Sequence, residues 1–274
     1  NGKGVPGNMV FPDIPVGSTI VRAARAQSEL DMQTSAFAAL PVKDKQYLQK
    51  VCAQVEQSTL DKINEADGEV DWGFSDVEEL AIYDMKQTQN VSYLFGTRAK
   101  VSIDKEDVYT TGGIWYMPGK DFLYGGGGGN TAWTVDQIVD LTKVTFTGNN
   151  GSGKKIMLAG SACLASLMKA RMPEGYTANA NMVERFNLTF SEIKSDFGTL
   201  LVVLDETFDA VGLESSAIII DPEFLRKYSI GGIGTVDLDL KKSGQKDADA
   251  RVIREISGLI LQNPNSHVRV SVKP

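Results

Sequence analysis

The hydrophobic and polar positions change rhythm several times along the chain. Residues 1–20 hold Pro6, Pro12 and Pro15 among scattered glycines with almost no periodicity, which predicts an extended arm without a core of its own. From Ser18 to Asp71 apolar residues are thin, and only short pieces such as Thr19-Ile20-Val21 and the partly alternating Val51–Val55 look like strands. A segment with so little to bury is not stable alone, so it is expected to lie against something else. Residues 75–96 then run without Gly or Pro until Gly96. This predicts a rod roughly 30 Å long at 1.5 Å per residue, longer than the usual globular helix. Ser75 and Glu78 have capping-box spacing at its start, and Gly96 suits a left-handed residue at its end.

After the rod come Thr111-Gly112-Gly113 and five consecutive glycines, Gly125 to Gly129, which predict a joint and a flexible tip. Thr134 and Gln137 form a second capping box ahead of Ile138, Leu141 and Thr142, a helix expected to run to about Phe146 and stop near Gly148. Ser161 to Met172 is another helix, and Asp221-Pro222 opens a helical turn. Strand-like runs fall at 155–159, 200–204, 217–220, 235–240, 253–261 and 268–272. The fold class is α+β: a long helix and shorter ones packed on mixed sheets.

The composition, 42% hydrophobic and 23% charged over 274 residues, is that of a folded protein. No run approaches the roughly 18 apolar residues that cross a bilayer, so no membrane partner is expected. A net charge of -7 argues against sequence-specific or phosphate-gripping nucleic acid binding, which needs clustered Lys and Arg. Acidity concentrates between Glu56 and Asp84, a solvated face. The chain opens on Asn1 without Met or a secretory pattern, so an upstream portion, cut or otherwise, is expected.

Chemistry is weakly marked. Gly148 to Lys154 matches G-x-x-x-x-G-K, but Lys155 stands where a phosphate loop needs Ser or Thr for magnesium, and a helix precedes where a strand belongs. The alternative function, an α+β nucleotide-binding enzyme using residues 148–154, rests on this degenerate loop. His267 is the sole histidine, which leaves zinc and triad chemistry without marked partners. Cys52 and Cys163 lack a neighbouring base, and two free thiols are expected. The pairs Glu78/Glu79 and Asp205/Glu206 diverge, whereas Asp237 and Asp239 share a face on what is expected to be a half-buried strand. Trp115, Tyr116, Phe122 and Tyr124 lack the basic residues of a nucleic-acid platform, so packing or a subunit contact is expected. No catalytic, cofactor-binding or metal-binding residue is assigned, and no cofactor.

The order of parts resembles the major capsid protein of tailed bacteriophages, the Hong Kong 97 type coat-protein fold. Soft patterns extend the resemblance: Thr111-Gly112-Gly113-Ile114 after the rod, Lys154 to Ser161, Phe197-Gly198-Thr199-Leu200, Ile220-Asp221-Pro222, and Leu261-Gln262-Asn263-Pro264 before the last strand. The resemblance implies an N-terminal arm (1–17) and an extended loop (18–72). It implies a peripheral domain (73–135) with the spine helix at 75–96, joined by 235–265, and an axial domain (136–234), joined by 266–274. It further implies a non-enzymatic subunit that self-assembles as hexamers and pentamers into the icosahedral head around the DNA genome. The expected location is the virion capsid, assembled in the host cytoplasm, with portal, scaffold, maturation protease or decoration protein as further partners.

Overall fold

A computed structural model describes residues 44–66, 73–148, 151–171, 182–185, 188–242 and 246–274, with Glu29, Gly68 and Gly244 as isolated positions. The chain divides into two compact units, 1–44 and 45–274. The arm and the strand expected at Thr19–Val21 lie outside the described residues. The second unit contains, in order, β1 (Gln49–Ser58), α1 (Thr59–Ala66), α2 (Phe74–Phe95), β2 (Ala99–Ile103), β3 (Glu106–Thr110), β4 (Lys120–Tyr124) and α3 (Val135–Phe146). Then follow β5 (Lys154–Ala159), α4 (Ser161–Arg171), β6 (Met182–Arg185), β7 (Leu188–Ser195), β8 (Gly198–Leu204) and α5 (Thr207–Ala210). The last strands are β9 (Ala217–Ile220), β10 (Leu225–Leu238), β11 (Ala248–Leu261) and β12 (Val268–Val272).

The strands form a three-stranded antiparallel sheet, β1-β11-β10, a seven-stranded mixed sheet, β4-β12-β9-β5-β8-β7-β6, and a ribbon, β2-β3. Strand β9, Ala-Ile-Ile-Ile, is buried on both faces, as a central strand must be. Ala217 and Ile219 join Leu141, Cys163 and Leu167 in the core beneath α3 and α4, while Ile218 and Ile220 point the other way to Leu94, Trp115 and Phe208. In β1 the alternation foreseen at Val51–Val55 holds: Val51, Ala53 and Val55 pack with Met85 and Ile253 beneath the spine helix α2. The low apolar content of this strand suffices because only one face is covered. The strand foreseen at 235–240 is longer and more exposed than expected, because β10 is the edge of its sheet and Val236 faces away from α2.

The spine begins two residues earlier than the Ser75–Glu78 spacing suggested. Gly73 is the N-cap, and the Asp76 carboxylate accepts the Gly73 N–H at 2.9 Å. Ser75 lies inside the first turn, and Glu78 instead accepts from Arg251 on β11 at 2.6 Å. At the other end Gly96 has φ -57° and is not left-handed, so the expectation of a left-handed cap is corrected. Its lack of a side chain is needed for space: a Cβ there would sit 2.4 Å from the Ser92 carbonyl oxygen and 2.7 Å from that of Thr111. Across from it, a Cβ on Gly113 would meet the Leu94 carbonyl oxygen at 2.5 Å. The Gly113 N–H donates to the Gly96 carbonyl at 2.6 Å, so two backbones cross in contact.

Under α2 a buried polar network fixes register. The Ser257 hydroxyl donates to Glu255 at 2.8 Å and lies 2.6 Å from the Tyr93 hydroxyl and 2.9 Å from the Gln89 amide, which both donate to it. Lys227 closes the chain at 2.6 Å from Glu255. Burial works to raise the Glu255 pKa, but Lys227, Ser257 and Gln89 together hold it below the usual carboxylate value.

A second knot ties β9 to the segment before β12. The buried His267 ring accepts the Asp221 N–H on Nδ1 at 3.1 Å, so Nε2 carries the proton and donates to the Gln262 carbonyl at 2.9 Å. Burial pushes the His267 pKa below its ordinary value, against the pull of the Gln262 carbonyl and Asp221 and with help from Lys155. The unfolded chain therefore takes up this proton first on acidification.

Three outcomes follow. Asp76→Ala should cost about 1 kcal/mol in urea unfolding and Ser75→Ala close to nothing, since only Asp76 holds an end group. Gly113→Ala should cost about 1–3 kcal/mol by forcing the crossed backbones apart. Stability should hold above the ordinary histidine pKa of ~6.5 and fall as pH drops below it, and His267→Asn should flatten that fall in the same unfolding series.

Candidate assembly surfaces

The phosphate-loop candidate is the sharpest chemical suggestion in the sequence, and its surroundings are wrong for a phosphate. Asn149 and Asn150 lie outside the described residues. Of the rest, the Ser152 N–H and hydroxyl are held by the buried Asp221 carboxylate at 2.8 and 2.9 Å. A Cβ on Gly151 would lie 2.5 Å from that same carboxylate. A carboxylate therefore already takes the Ser152 donors, and a phosphate there would meet its charge. The loop leads into β5, which runs parallel to β8, where a phosphate loop needs a helix N-terminus. Lys155 is fully buried, its ammonium donating to the carbonyls of Thr145 at 2.8 Å and Ser266 at 2.6 Å. Burial pushes its pKa down to about 8, opposed by Asp221 and aided by Lys120. It pins α3 to the β12 segment.

The other marked residues are likewise built into the fold. Cys163 is in the core, its thiol pushed up to about 11 by burial, and Cys52 is exposed on β1; both are free. Asp237 pairs with Arg251 at 2.6 Å, and Asp239 pairs with Lys242 at 2.6 Å, so the two carboxylates do not converge. Trp115 packs edge-on against Phe208 at 5.7 Å, and Tyr124 stacks on Trp133 at 4.1 Å, which makes most of the aromatic run packing. Tyr116 alone of the four is largely exposed. Asn90, in an Asn-x-Ser sequence, lies on α2 with its amide donating to Thr207 at 2.9 Å.

What the described residues present outward is apolar surface on elongated elements. Only one stripe of α2 is buried, at Met85, Gln89, Tyr93 and Leu94. Away from it Val77, Leu80 and Tyr83 form a second stripe, Leu80 60% exposed, flanked by Asp76, Glu79 and Asp84. On α1 Leu60 is 71% exposed. The ribbon β2-β3 turns at Asp104 and Lys105, both with positive φ, and carries Val101, Ile103 and Val108 on one open face. An isolated two-stranded ribbon is marginal in water. Lys100 pairs with Asp107 across the ribbon itself at 2.8 Å, and Tyr109 meets Tyr47, just ahead of β1, at 5.3 Å. Sequence reading did not single out this ribbon, though the alternation Val101-Ser102-Ile103 and Asp107-Val108-Tyr109 is present. Strand β10 adds Tyr228, Ile230 and Ile233, and Ile230 is 63% exposed. Scattered exposed apolar residues are ordinary, but runs of them on rods and ribbons mark contact surfaces.

The chain matches the SU10 major capsid protein family over residues 18–273. Among solved structures it is similar to one from Gordonia phage Cozz, with TM-score 0.58 and 15% identity, over 93% of this chain and 79% of that one. It is also similar to the capsid of the native GTA particle, with TM-score 0.55 and 11% identity over 90% and 82% of the two chains. A third likeness is to the holo-SrpI encapsulin complex from Synechococcus elongatus PCC 7942, with TM-score 0.54 and 13% identity over 82% and 74%. None of the curated proteins matches the chain. The structural likenesses show the fold, the Hong Kong 97 type α+β fold that the order of parts resembled. With the family match spanning nearly the whole sequence, the conclusion is direct: this chain belongs to the SU10 major capsid protein family and is a structural subunit of a phage capsid.

Proposed function

We propose that the chain forms the hexamers and pentamers of the icosahedral head of a tailed phage, enclosing the DNA genome, and that it performs no catalysis. The observation that carries this reading is the open apolar surface on α2, β2-β3 and β10, which a subunit in a shell covers with its neighbours. In this reading residues 1–17 are the arm and 18–72 the loop that reach adjacent subunits, with the part from β1 onward anchored on β11. The peripheral domain takes residues 73–135 and 235–265 and the axial domain 136–234 and 266–274; the two separate sheets support two domains, while β4 of the large sheet and most of β10 of the small one fall across these bounds. Assembly takes place in the host cytoplasm with portal, scaffold, protease or decoration protein as partners. The net charge of -7 lets the shell enclose DNA without gripping it, so the genome can leave.

The test is expression of the full chain with its scaffold or protease and negative-stain electron microscopy. Closed particles are expected. Removing residues 1–43 should abolish them while leaving the thermal midpoint within about 4 °C, because the described core begins beyond that segment. A full chain that stays dispersed under these conditions, and that nucleotide stabilises thermally unless Lys154 is changed to Ala, would replace the shell reading with the enzyme one.

A further inference from the structure

Strand β10 is unlike the rest of the subunit. It is fourteen residues long, lies at the edge of its sheet, and is exposed along almost its whole length on both faces. A long exposed edge is a template for another strand, and among the described residues no strand pairs with its outward N–H and C=O groups. Midway, the register with β11 slips between Ile230 and Gly234, where Gly231 and Gly232 have positive φ. Such a bulge interrupts pairing with an arbitrary straight strand. A strand with the same interruption at the same place can pair on both sides of it, and a second copy of β10 is such a strand.

The side chains fit that partner. Lys227 and Asp237 lie on the face turned toward α2, since Lys227 pairs with Glu255 and Asp237 with Arg251, which in turn pairs with Glu78. Tyr228, Ile230 and Val236 lie on the opposite face by the two-residue period. Two antiparallel copies related by a two-fold axis at Gly232 bring each residue opposite the one equally far beyond that glycine. Lys227 then faces the partner's Asp237, Ser229 faces the partner's Thr235, and Tyr228 faces the partner's Val236. Each pairing keeps like faces together and matches charge with charge, hydroxyl with hydroxyl and apolar with apolar, and symmetry repeats it. A slip of one residue would set the Lys227 face against the wrong side of the sheet.

We propose that β10 pairs edge to edge with β10 of a second copy about a two-fold axis at Gly232, joining two β1-β11-β10 sheets into one of six strands. The proposal rests on the shell reading for its setting, and its partner is another copy of this chain. The Gly232 residues of the two copies then meet at the axis with no side chain between them, and each Gly231 leaves room for the partner's Ile233.

The test places Ser229→Cys and Thr235→Cys together in a Cys52→Ser background; both positions are exposed, so the fold tolerates them. Mild oxidation of the purified subunit and of assembled particles should give a covalent dimer on a denaturing gel, and Ser229→Cys alone should not. In parallel, Tyr228→Lys in the native chain should weaken subunit association at least tenfold by sedimentation without moving the thermal midpoint. Particles that form normally yet yield no crosslink overturn the β10 pairing and leave the shell reading standing. Crosslinked dimers from a chain that never closes into particles support the pairing and count against the shell. Unchanged association of Tyr228→Lys overturns the pairing whatever the particles do.

Discussion

The structure depends on the place where the end of the spine helix passes the segment that follows β3. Gly96 and Gly113 let two backbones touch at 2.6 Å, and this closeness lets Leu94, Phe95, Trp115 and Phe208 share one cluster with Ile218 and Ile220 of the large sheet. Phe95 lies 5.1 Å from Phe208 in an edge-to-face contact, and Trp115 completes the triangle. A methyl group at either glycine would wedge the joint. The helix would still form, but its far end would no longer be aimed by the large sheet.

Along its length the helix is held differently, by apolar contacts at Met85 and by the polar chain from Gln89 and Tyr93 through Ser257 to Glu255 and Lys227. A buried carboxylate is costly unless its lone pairs are met, so the arrangement has one register that satisfies it. Sliding α2 by a turn would take Gln89 and Tyr93 off the Ser257 hydroxyl. The helix is thus seated on one side with specificity and left open on the other, which suits a part that must be rigid in the subunit and still available to neighbours. Two buried basic side chains serve connection of the same kind: Lys155 and the neutral His267 join α3, β9 and the segment before β12.

Much of the element pattern was legible. The Thr134–Gln137 box forms as its spacing predicts, with both hydrogen bonds present, because a capping box is a local arrangement of residues three apart. Strands β9 and β12 fall on the runs foreseen at 217–220 and 268–272, since short apolar runs between turn residues leave few alternatives. The Ser75 cap failed for a reason equally physical: Asp76 offered a carboxylate to Gly73, two residues upstream of Ser75, and Arg251, distant in sequence, took Glu78 away. The extent and exposure of β10 were not legible, because alternation shows which face is apolar and cannot show whether a neighbour covers it.

The sequence by itself determined the long helix, the second helix cap, the α+β alternation and the weakness of every catalytic pattern, all of which depend on residue spacing within a few turns. The tertiary structure alone decided that the degenerate phosphate loop is closed by Asp221, that Gly96 and Gly113 are glycines for space and not for a left-handed turn, and that β10 is an edge among the described strands. These are contacts between residues far apart in the chain, and their energies depend on distances that no local pattern encodes.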